Sequence, residues 1–413
     1  MPEIQSRDSK ESMSAMSIDH GRHFLQVPGP TNVPERVMRA IAAPTIDHRS
    51  PTFKQFAGSL LERLPRAFRT DSPVVVFAGS GTGAWEASLV NTCSPGDRVL
   101  MFETGHFSML WHDLARRFGL DVDYVSGNWR SGVDAEILAD KLAADSDRQI
   151  KAVAVVHNET STGVTSDIGA VRRALDDADH PALLLVDVIS SLGSIDVRCA
   201  DWGIDVAVGG SQKGLMLPPG LGLNAISEKA RTASKTATLP RAFWDWQGIL
   251  EANGDGLFPF TPAINMLFGL KEAFDMFDEM GWDNVLARHV RHGAAAREAV
   301  AAWGLELQPA NPSEYSDALT VVRMPEGHSG DALRGVILDA YEMSLGAGLG
   351  KLADRVFRIG HMGAFNDLML AGSLAGVEMG LARARVPFRK GGVQAALNML
   401  AEPPTEKARA AAE

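Results

Sequence analysis

A lysine and an aspartate follow two apolar segments that have the length of buried strands. Lys213 lies shortly after residues 206–208, in the segment GGSQKG, and Asp187 directly follows residues 183–186. A lysine amine can hold the aldehyde of pyridoxal phosphate (PLP) as a Schiff base, and a carboxylate can keep the pyridine nitrogen of that cofactor protonated. The pair is compatible with a PLP site, although each residue can also be an ordinary strand end.

The segment GSGTGA at residues 79–84 follows another apolar strand and begins a helical pattern. Backbone amides at a helix N-terminus form an anion site, and the glycines allow a phosphate to approach closely. The same letters satisfy G-x-G-x-x-A, and Glu103 follows Gly83 by 20 residues, as in dinucleotide-binding folds. Taken alone, this segment favours NAD over PLP and leaves both open, together with a simple turn.

Four other side chains could complete such a site. Phe107 and Ile189 could cover the two faces of a cofactor ring, although both types are more often core residues. Thr160 belongs to the polar run HNETSTG, residues 157–163, which suits either hydrogen bonding to a ring hydroxyl or a turn. Arg358 interrupts the apolar segment VFRIG, and its planar fork matches either a substrate carboxylate or an internal Asp or Glu.

Alternating strand and helix patterns surround these residues. The apolar segments predict strands and the segments of helical period between them predict helices, so the sequence predicts an α/β fold: a mainly parallel sheet with helices on both faces. Ligands bind beyond the carboxyl ends of the strands in such sheets, which is where most of the candidate residues fall. The predicted strands are 74–77, 99–102, 122–125, 152–156, 183–186 and 206–208, and the predicted helices are 85–92, 109–118, 135–143 and 168–178.

The C-terminal part of the chain has a different order of elements. Helices at 285–303, 331–341 and 367–384 alternate with strands at 318–323 and 356–359, which predicts a smaller α+β domain. We expect a disordered N-terminal extension at 1–22, a large cofactor-binding domain at 23–282, a small C-terminal domain at 283–401 and a tail at 402–413.

Composition narrows the class of protein further. The net charge of −11 and the absence of a basic run argue against nucleic acid and anionic membranes as partners. No apolar run reaches the length of a membrane span. Cys93 and Cys199 are the only cysteines; they have no metal-ligand spacing and fit a reducing compartment, so we expect a cytoplasmic protein that needs no metal.

Several motifs in order give the chain a family resemblance. It resembles the class V, fold-type I PLP aminotransferases of the serine–glyoxylate and alanine–glyoxylate group, from about residue 24 to 385. The matching segments are PGPTNVP (28–34), DHRSP (47–51), GSGT (79–82), HNETSTG (157–163), LVDVIS (185–190), GSQK (210–213), LPPG (217–220) and FRIG (357–360). The resemblance implies PLP-dependent transfer of an amino group from a small amino acid, such as serine, alanine or aspartate, to glyoxylate.

The resemblance also implies a role for each candidate residue. Lys213 is the expected Schiff-base lysine and Asp187 the partner of the pyridine nitrogen, while Arg358 is expected to bind the substrate carboxylate. Family members are dimers, which predicts a homodimer with its active sites at the subunit interface. The remaining expected contacts are the phosphate with Ser80, Gly81, Thr82 and Gln212, the two ring faces with Phe107 and Ile189, the ring hydroxyl with Thr160, and the neighbouring subunit's phosphate with Thr261.

The chain departs from the family pattern near the predicted subunit contact. Phe258 and Phe260 stand where relatives often carry tyrosine, so a hydroxyl donor to the phosphate of the neighbouring subunit is missing. Three alternatives stay open. The first is cysteine desulfurase or lyase chemistry on the same fold, and a desulfurase needs a mobile cysteine in the C-terminal part of the chain. The others are an NAD-dependent dehydrogenase and a PLP-fold regulator, which normally carries an added DNA-binding module.

Overall fold

The computed structural model describes residues 22–402, so the predicted extension at 1–22 and tail at 402–413 lie outside the described residues except for residues 22 and 402. Its strands are β1 (Phe24–Gln26), β2 (Val74–Gly79), β3 (Arg98–Phe102), β4 (Asp121–Val125), β5 (Ile150–Val156), β6 (Asn158–Glu159), β7 (Val164–Thr165), β8 (Leu183–Asp187), β9 (Val206–Gly210), β10 (Gly220–Ile226), β11 (Leu319–Arg323), β12 (Met343–Ala347) and β13 (Val356–Gly360).

Helices separate most of these strands along the chain. They are α1 (Glu35–Ile41), α2 (Pro51–Leu61), α3 (Leu64–Ala67), α4 (Gly81–Thr92), α5 (His106–Arg117), α6 (Ala135–Ala144), α7 (Ile168–Asp177), α8 (Glu228–Ser234), α9 (Trp246–Gly254), α10 (Ile264–Met280), α11 (Trp282–Trp303), α12 (Gly330–Tyr341), α13 (Asp367–Arg383) and α14 (Gly392–Ala401).

A seven-stranded sheet forms the centre of the larger part, with strand order β2-β10-β9-β8-β5-β3-β4. Neighbouring strands from β9 to β4 are parallel, whereas β10 pairs antiparallel with both β2 and β9. Two apolar clusters cover its faces: Val74 and Val76 point into one, and Val75 and Phe77 point into the other. The predicted α/β fold, a mainly parallel sheet with helices on both faces, is confirmed.

The sheet brings the ends of four strands to one place. Gly79 ends β2, Val156 ends β5, Asp187 ends β8 and Gly210 ends β9. Because β2, β5, β8 and β9 run in the same direction, these carboxyl ends lie at one edge of the sheet. The loops that carry the candidate residues leave from that edge.

A second sheet, of order β1-β12-β13-β11, lies in the C-terminal part of the chain. It packs with α11, α12, α13 and α14 around a separate apolar cluster that contains Trp303, Phe357 and Leu374. Strand β1, near the start of the described residues, pairs with β12 and so completes this sheet from a distant part of the sequence. Within residues 22–402, no helix combines the length and the apolar character that crossing a membrane requires.

Candidate active site

A cavity of about 270 Å³ lies at the carboxyl ends of the strands in the large sheet. Nine residues that the sequence singled out contribute to its wall, although they come from segments spread between residues 80 and 213. They are Ser80, Gly81, Thr82, Phe107, Thr160, Asp187, Ile189, Gln212 and Lys213.

Lys213 lies in the loop after β9 and reaches across the cavity. Its Nζ donates a hydrogen bond to the carbonyl oxygen of Pro28 (2.6 Å) and lies 6.0 Å from the ring centroid of Phe107. Burial lowers the pKa of the Lys213 ammonium to about 8, and the nearby Arg358 guanidinium lowers it as well. The amine can therefore become neutral, and hence nucleophilic, much nearer to physiological pH than an exposed lysine.

Asp187 is the last residue of β8 and is 4% exposed. Its Oδ1 accepts a hydrogen bond from the backbone N–H of Ile189 (2.7 Å), and its Oδ2 accepts one from the indole N–H of Trp85 (3.0 Å). Burial raises the pKa of Asp187 to about 7, while these two donors oppose that rise. A carboxylate this deeply buried is costly without a cation, and a protonated pyridine nitrogen would supply one.

The first turn of α4 forms a cradle suited to phosphate. Ser80 caps the helix without a side-chain bond to the first turn, so the backbone amides at this end keep their hydrogen-bonding capacity. A Cβ atom at Gly81 would overlap the side chain of Ile189, which explains the glycine. The side-chain amide oxygen of Gln212 is buried without a hydrogen-bond partner in the described structure, so a flip of this amide would present its N–H donors to a phosphate instead. The glycine and the backbone amides at the start of α4 fit the phosphate of PLP.

Phe107 is held at the start of α5 by a buried carboxylate that sequence reasoning missed. Glu159 is 0% exposed, and its Oε2 accepts hydrogen bonds from the backbone N–H groups of Phe107 (3.1 Å) and Ser108 (3.0 Å). Its Oε1 accepts from the backbone N–H and the hydroxyl of Ser161 (3.0 and 2.6 Å). Glu159 therefore satisfies free donors at the N-terminus of α5 and fixes the backbone from which the Phe107 ring enters the cavity.

Arg358 lies in the middle of β13 and is 8% exposed. Its Nε donates to the carbonyl oxygen of Ala347 (2.6 Å), and its Nη1 donates to the carbonyl oxygen of Thr160 (2.9 Å), a residue of the cavity wall. Both protein partners are neutral carbonyls, and burial lowers the pKa of Arg358 to about 10. The remaining donors of the guanidinium can bind a carboxylate, so the geometry favours a substrate role over an internal ion pair.

Thr261 is a predicted site residue that, like Arg358, does not contribute to the wall of this cavity. It is exposed, next to the half-buried side chains of Phe258 and Phe260. The ring of Phe260 stacks on Phe243 with centroids 4.4 Å apart, so this aromatic side chain contributes packing at this position. The expected contact of Thr261 with a neighbouring subunit stays a prediction.

Glu103, the acidic residue of the possible dinucleotide fingerprint, already has partners within the protein. Glu103 is 8% exposed, accepts a hydrogen bond from the indole N–H of Trp129 (2.7 Å) and forms an ion pair with Lys351. A carboxylate with these partners is poorly placed to bind a ribose hydroxyl. The structure therefore favours phosphate over a dinucleotide at residues 79–84.

Trp85 lines the cavity, and the sequence did not single it out as a site residue. In the sequence it is one apolar position among several in a helical pattern, and its partner Asp187 lies 102 residues away. The only local signal was the unpaired aspartate at a strand end, which required some donor.

Comparison with known proteins agrees with this geometry. The family model for "Aminotransferase class-V" matches residues 23–349. The chain is 45% identical to a serine–glyoxylate aminotransferase of Hyphomicrobium methylovorum over 390 residues, which cover 94% of this chain and 96% of that one. It is also 45% identical to an L-aspartate–glyoxylate aminotransferase of Paracoccus denitrificans over 372 residues, which cover 90% and 94%. A solved pyridoxamine–pyruvate aminotransferase from Mesorhizobium loti superposes with a TM-score of 0.87 at 27% identity, covering 93% and 98%.

Proposed function

The chain belongs to the class-V aminotransferase family, and we propose that it uses PLP to transfer the amino group of a small L-amino acid to glyoxylate, forming glycine and a 2-oxo acid. The observation that carries this proposal is the convergence of Lys213 and Asp187 in one cavity, with Arg358 bonded to its wall. An amine, a buried carboxylate and an arginine fork are the groups that amino-acid chemistry on this cofactor needs.

PLP supplies an aldehyde that binds an amine covalently and a ring that takes up an electron pair. We propose that Asp187 holds the proton on the pyridine nitrogen and that Phe107 and Ile189 contact opposite faces of the ring. Thr160 is the proposed partner of the ring hydroxyl. The phosphate would be held by Ser80, Gly81, Thr82 and Gln212.

Lys213 has two proposed tasks at one atom. Its Nζ would anchor the cofactor, and the same amine, when free, would accept a proton from the substrate carbon and return it. A lysine with its pKa near 8 suits this work because an appreciable fraction is neutral near neutral pH, so the amine can accept a proton and return it. The hydrogen bond to Pro28 holds Nζ at the cavity.

Arg358 is the proposed binding group for the carboxylate that amino-acid and 2-oxo-acid substrates share. Because Ala347 and Thr160 each hold one of its N–H groups, the guanidinium plane is fixed before the substrate arrives. A fixed fork orients the bond that must break relative to Lys213. Glyoxylate, which also carries a carboxylate, would use the same site in the second half-reaction.

Serine, alanine and aspartate are the proposed amino donors, since the relatives at 45% identity are named for serine and for aspartate. A half-reaction screen separates them: each amino acid is added to the PLP-loaded protein, and loss of the visible cofactor absorbance is followed. The full reaction is then tested by mass spectrometry of glycine formed from glyoxylate. Glycine formation with at least one of these donors is expected, and failure with all of them would contradict the proposal.

The matched control for this experiment is another lysine. Lys213→Ala should abolish glycine formation, whereas Lys271→Ala should leave it unchanged because Lys271 lies outside the cavity wall and pairs with Asp275 of the same helix, α10. Loss in both variants would indicate damage to the fold, and retention in both would remove Lys213 from the mechanism.

Desulfurase chemistry is not favoured by the positions of the cysteines. Cys93 and Cys199 are 0% and 4% exposed and belong to the apolar clusters on the two faces of the large sheet. Burial raises the pKa of Cys93 to about 11 and raises that of Cys199 as well, so neither thiol is prepared to act as a thiolate.

We further propose that the protein is a cytoplasmic homodimer, with a domain division near residue 282 and with Thr261 reaching the phosphate of the neighbouring subunit. The support is the family resemblance and the exposed position of Thr261 beside the Phe258–Phe260 aromatics. Sedimentation should give the mass of a dimer. Thr261→Ala should weaken PLP binding without changing that mass, and an unchanged PLP affinity would remove Thr261 from the site.

A further inference from the structure

The carboxylate of Asp187 is held by one side-chain donor, the indole N–H of Trp85. The distance from Trp85 Nε1 to Asp187 Oδ2 is 3.0 Å, and the other oxygen accepts the backbone N–H of Ile189 at 2.7 Å. Two carboxylate oxygens together offer about four lone-pair sites. Each oxygen can thus accept one further hydrogen bond. The carboxylate cannot rotate without losing a hydrogen bond to Trp85 or Ile189.

Trp85 also connects the elements that surround the cavity. It is the fifth residue of α4, one turn after the phosphate cradle at the start of that helix, and it is 2% exposed. Its ring stacks on Trp111 of α5, with centroids 5.8 Å apart and planes at 11°. Since α5 begins beside Phe107, one side chain joins the phosphate helix, the aromatic wall and the end of β8.

We propose that Trp85 is a positioning residue for the cofactor: its indole N–H keeps the Asp187 carboxylate ionised and aimed at the pyridine nitrogen of PLP, so that the nitrogen holds the proton between them. This inference rests on the proposed PLP function. It assigns to Trp85 both the orientation of Asp187 and the electron-accepting state of the ring.

The physical basis is competition for one proton. A buried carboxyl group resists ionisation, and burial together with the nearby Glu159 favours the protonated acid at Asp187, whereas the Ile189 N–H, the Trp85 N–H and Lys213 favour the carboxylate. A neutral Asp187 would leave the pyridine nitrogen without its proton and weaken the ring as an electron acceptor. Removing one donor from the carboxylate moves the balance in that direction.

The test compares two buried tryptophans that stack on each other. Trp85→Phe keeps an aromatic ring and removes the N–H. Trp111→Phe is the matched control, because Trp111 is 0% exposed and its indole N–H has no hydrogen-bond partner within residues 22–402. Both variants lose the same atoms from the same stack, but only the first loses a bond to Asp187.

The primary measurement is the nitrogen-15 resonance of PLP labelled at the pyridine nitrogen and bound to each protein. The wild type and Trp111→Phe should show a protonated nitrogen at neutral pH, and Trp85→Phe should shift toward the unprotonated position. The PLP dissociation constant of Trp85→Phe should rise about tenfold, and its half-reaction rate should fall about tenfold to hundredfold, while Trp111→Phe changes neither by more than about twofold. If Trp85→Phe does not fold, the pair Trp85→Leu and Trp111→Leu replaces it.

Each result bears on a different claim. An unshifted resonance in a folded Trp85 variant, or an unprotonated nitrogen in the wild type, overturns the role of Trp85 while the proposed transamination stands. Equal shifts in the two tryptophan variants also overturn it, since they would reflect packing alone. A wild-type protein that takes up no PLP at Lys213 overturns the proposed function itself.

Discussion

Replacing Arg358 by alanine should impair the use of substrate far more than the binding of PLP. The guanidinium donates to two backbone carbonyls, at Ala347 and Thr160, and its other donors are available to a substrate carboxylate. Truncating one partner of a buried, hydrogen-bonded charge pair costs about 2–5 kcal/mol, which corresponds to a loss of about 30-fold to 5,000-fold in kcat/KM. The PLP dissociation constant should change by less than about threefold, because Arg358 makes none of the proposed cofactor contacts itself and reaches Thr160 only through its backbone carbonyl.

The assay separates the two quantities with spectroscopy and steady-state kinetics. PLP affinity is measured by titrating apoprotein while following visible absorbance, and kcat/KM is measured for the donor and for glyoxylate. Arg358→Lys should fall between the wild type and Arg358→Ala, because an ammonium keeps the charge but lacks the fork. Equal losses of PLP affinity and kcat/KM would show that Arg358 is structural and refute its substrate role.

Arg334 provides the matched control for this experiment. It also donates from Nε to a carbonyl of strand β12, that of Leu345 (2.8 Å), but its other partner is the surface residue Asp331. Arg334→Ala therefore removes a comparable arginine–strand bond without touching the cavity. It should lower the melting temperature by no more than Arg358→Ala does and leave kcat/KM within about threefold of the wild type.

Three further outcomes are expected from the carboxylates and the lysine. Glu159→Gln places an amide NH2 group against one of the two donor pairs, either Phe107 and Ser108 or the two donors of Ser161, so PLP affinity should fall about tenfold or more and the protein should lose about 1–3 kcal/mol of stability. Unchanged values in PLP titration and urea unfolding would contradict this. Because the pKa of Lys213 is lowered to about 8, the rate of covalent PLP uptake should rise with pH and level off above about 8 in stopped-flow absorbance; a midpoint near 10.5 would contradict it. The pKa of Asp187 is raised from 3.8 to about 7, so between these pH values the folded apoprotein binds more protons than the unfolded chain, and its stability falls as the pH rises. The unfolding midpoint of Asp187→Asn relative to wild type should therefore increase from pH 5 to pH 8. A constant difference would argue against a buried acid.

The strands of the large sheet were readable from the sequence where their apolar runs were continuous. Strands β2, β3, β4, β5, β8 and β9 were predicted to within two residues at each end. Strand β10 was missed, because its sequence GLGLNAI contains two glycines and has the character of a loop in isolation. It is stabilised as a strand by pairing with β2 and β9 on both sides, which no local pattern reveals.

The small sheet shows the same limit. Strands β11 and β13 were predicted from their apolar character, whereas β1 and β12 were missed. Their pairing joins Phe24 to Met343, and contacts between residues so far apart in the sequence leave no periodic signal.

In the candidate site, the sequence identified residues with distinctive chemistry, but it did not identify residues whose role is to hold another site residue in place. Lys213, Asp187 and Arg358 were visible because an amine or a charge within or just after an apolar strand requires a partner. Trp85 and Glu159 were not visible, because a tryptophan in a helix and a glutamate in a polar loop are ordinary. Their importance comes from bonds to Asp187 and to the start of α5, which only the fold brings together.

Borohydride reduction of the PLP-loaded protein, followed by peptide mass spectrometry, tests most directly whether Lys213 is the covalent anchor of the cofactor. The loaded protein should be coloured, and reduction should leave one pyridoxyl group, on the peptide that contains Lys213. A protein that stays colourless with added PLP, or a pyridoxyl group fixed on any other lysine, would contradict the assignment.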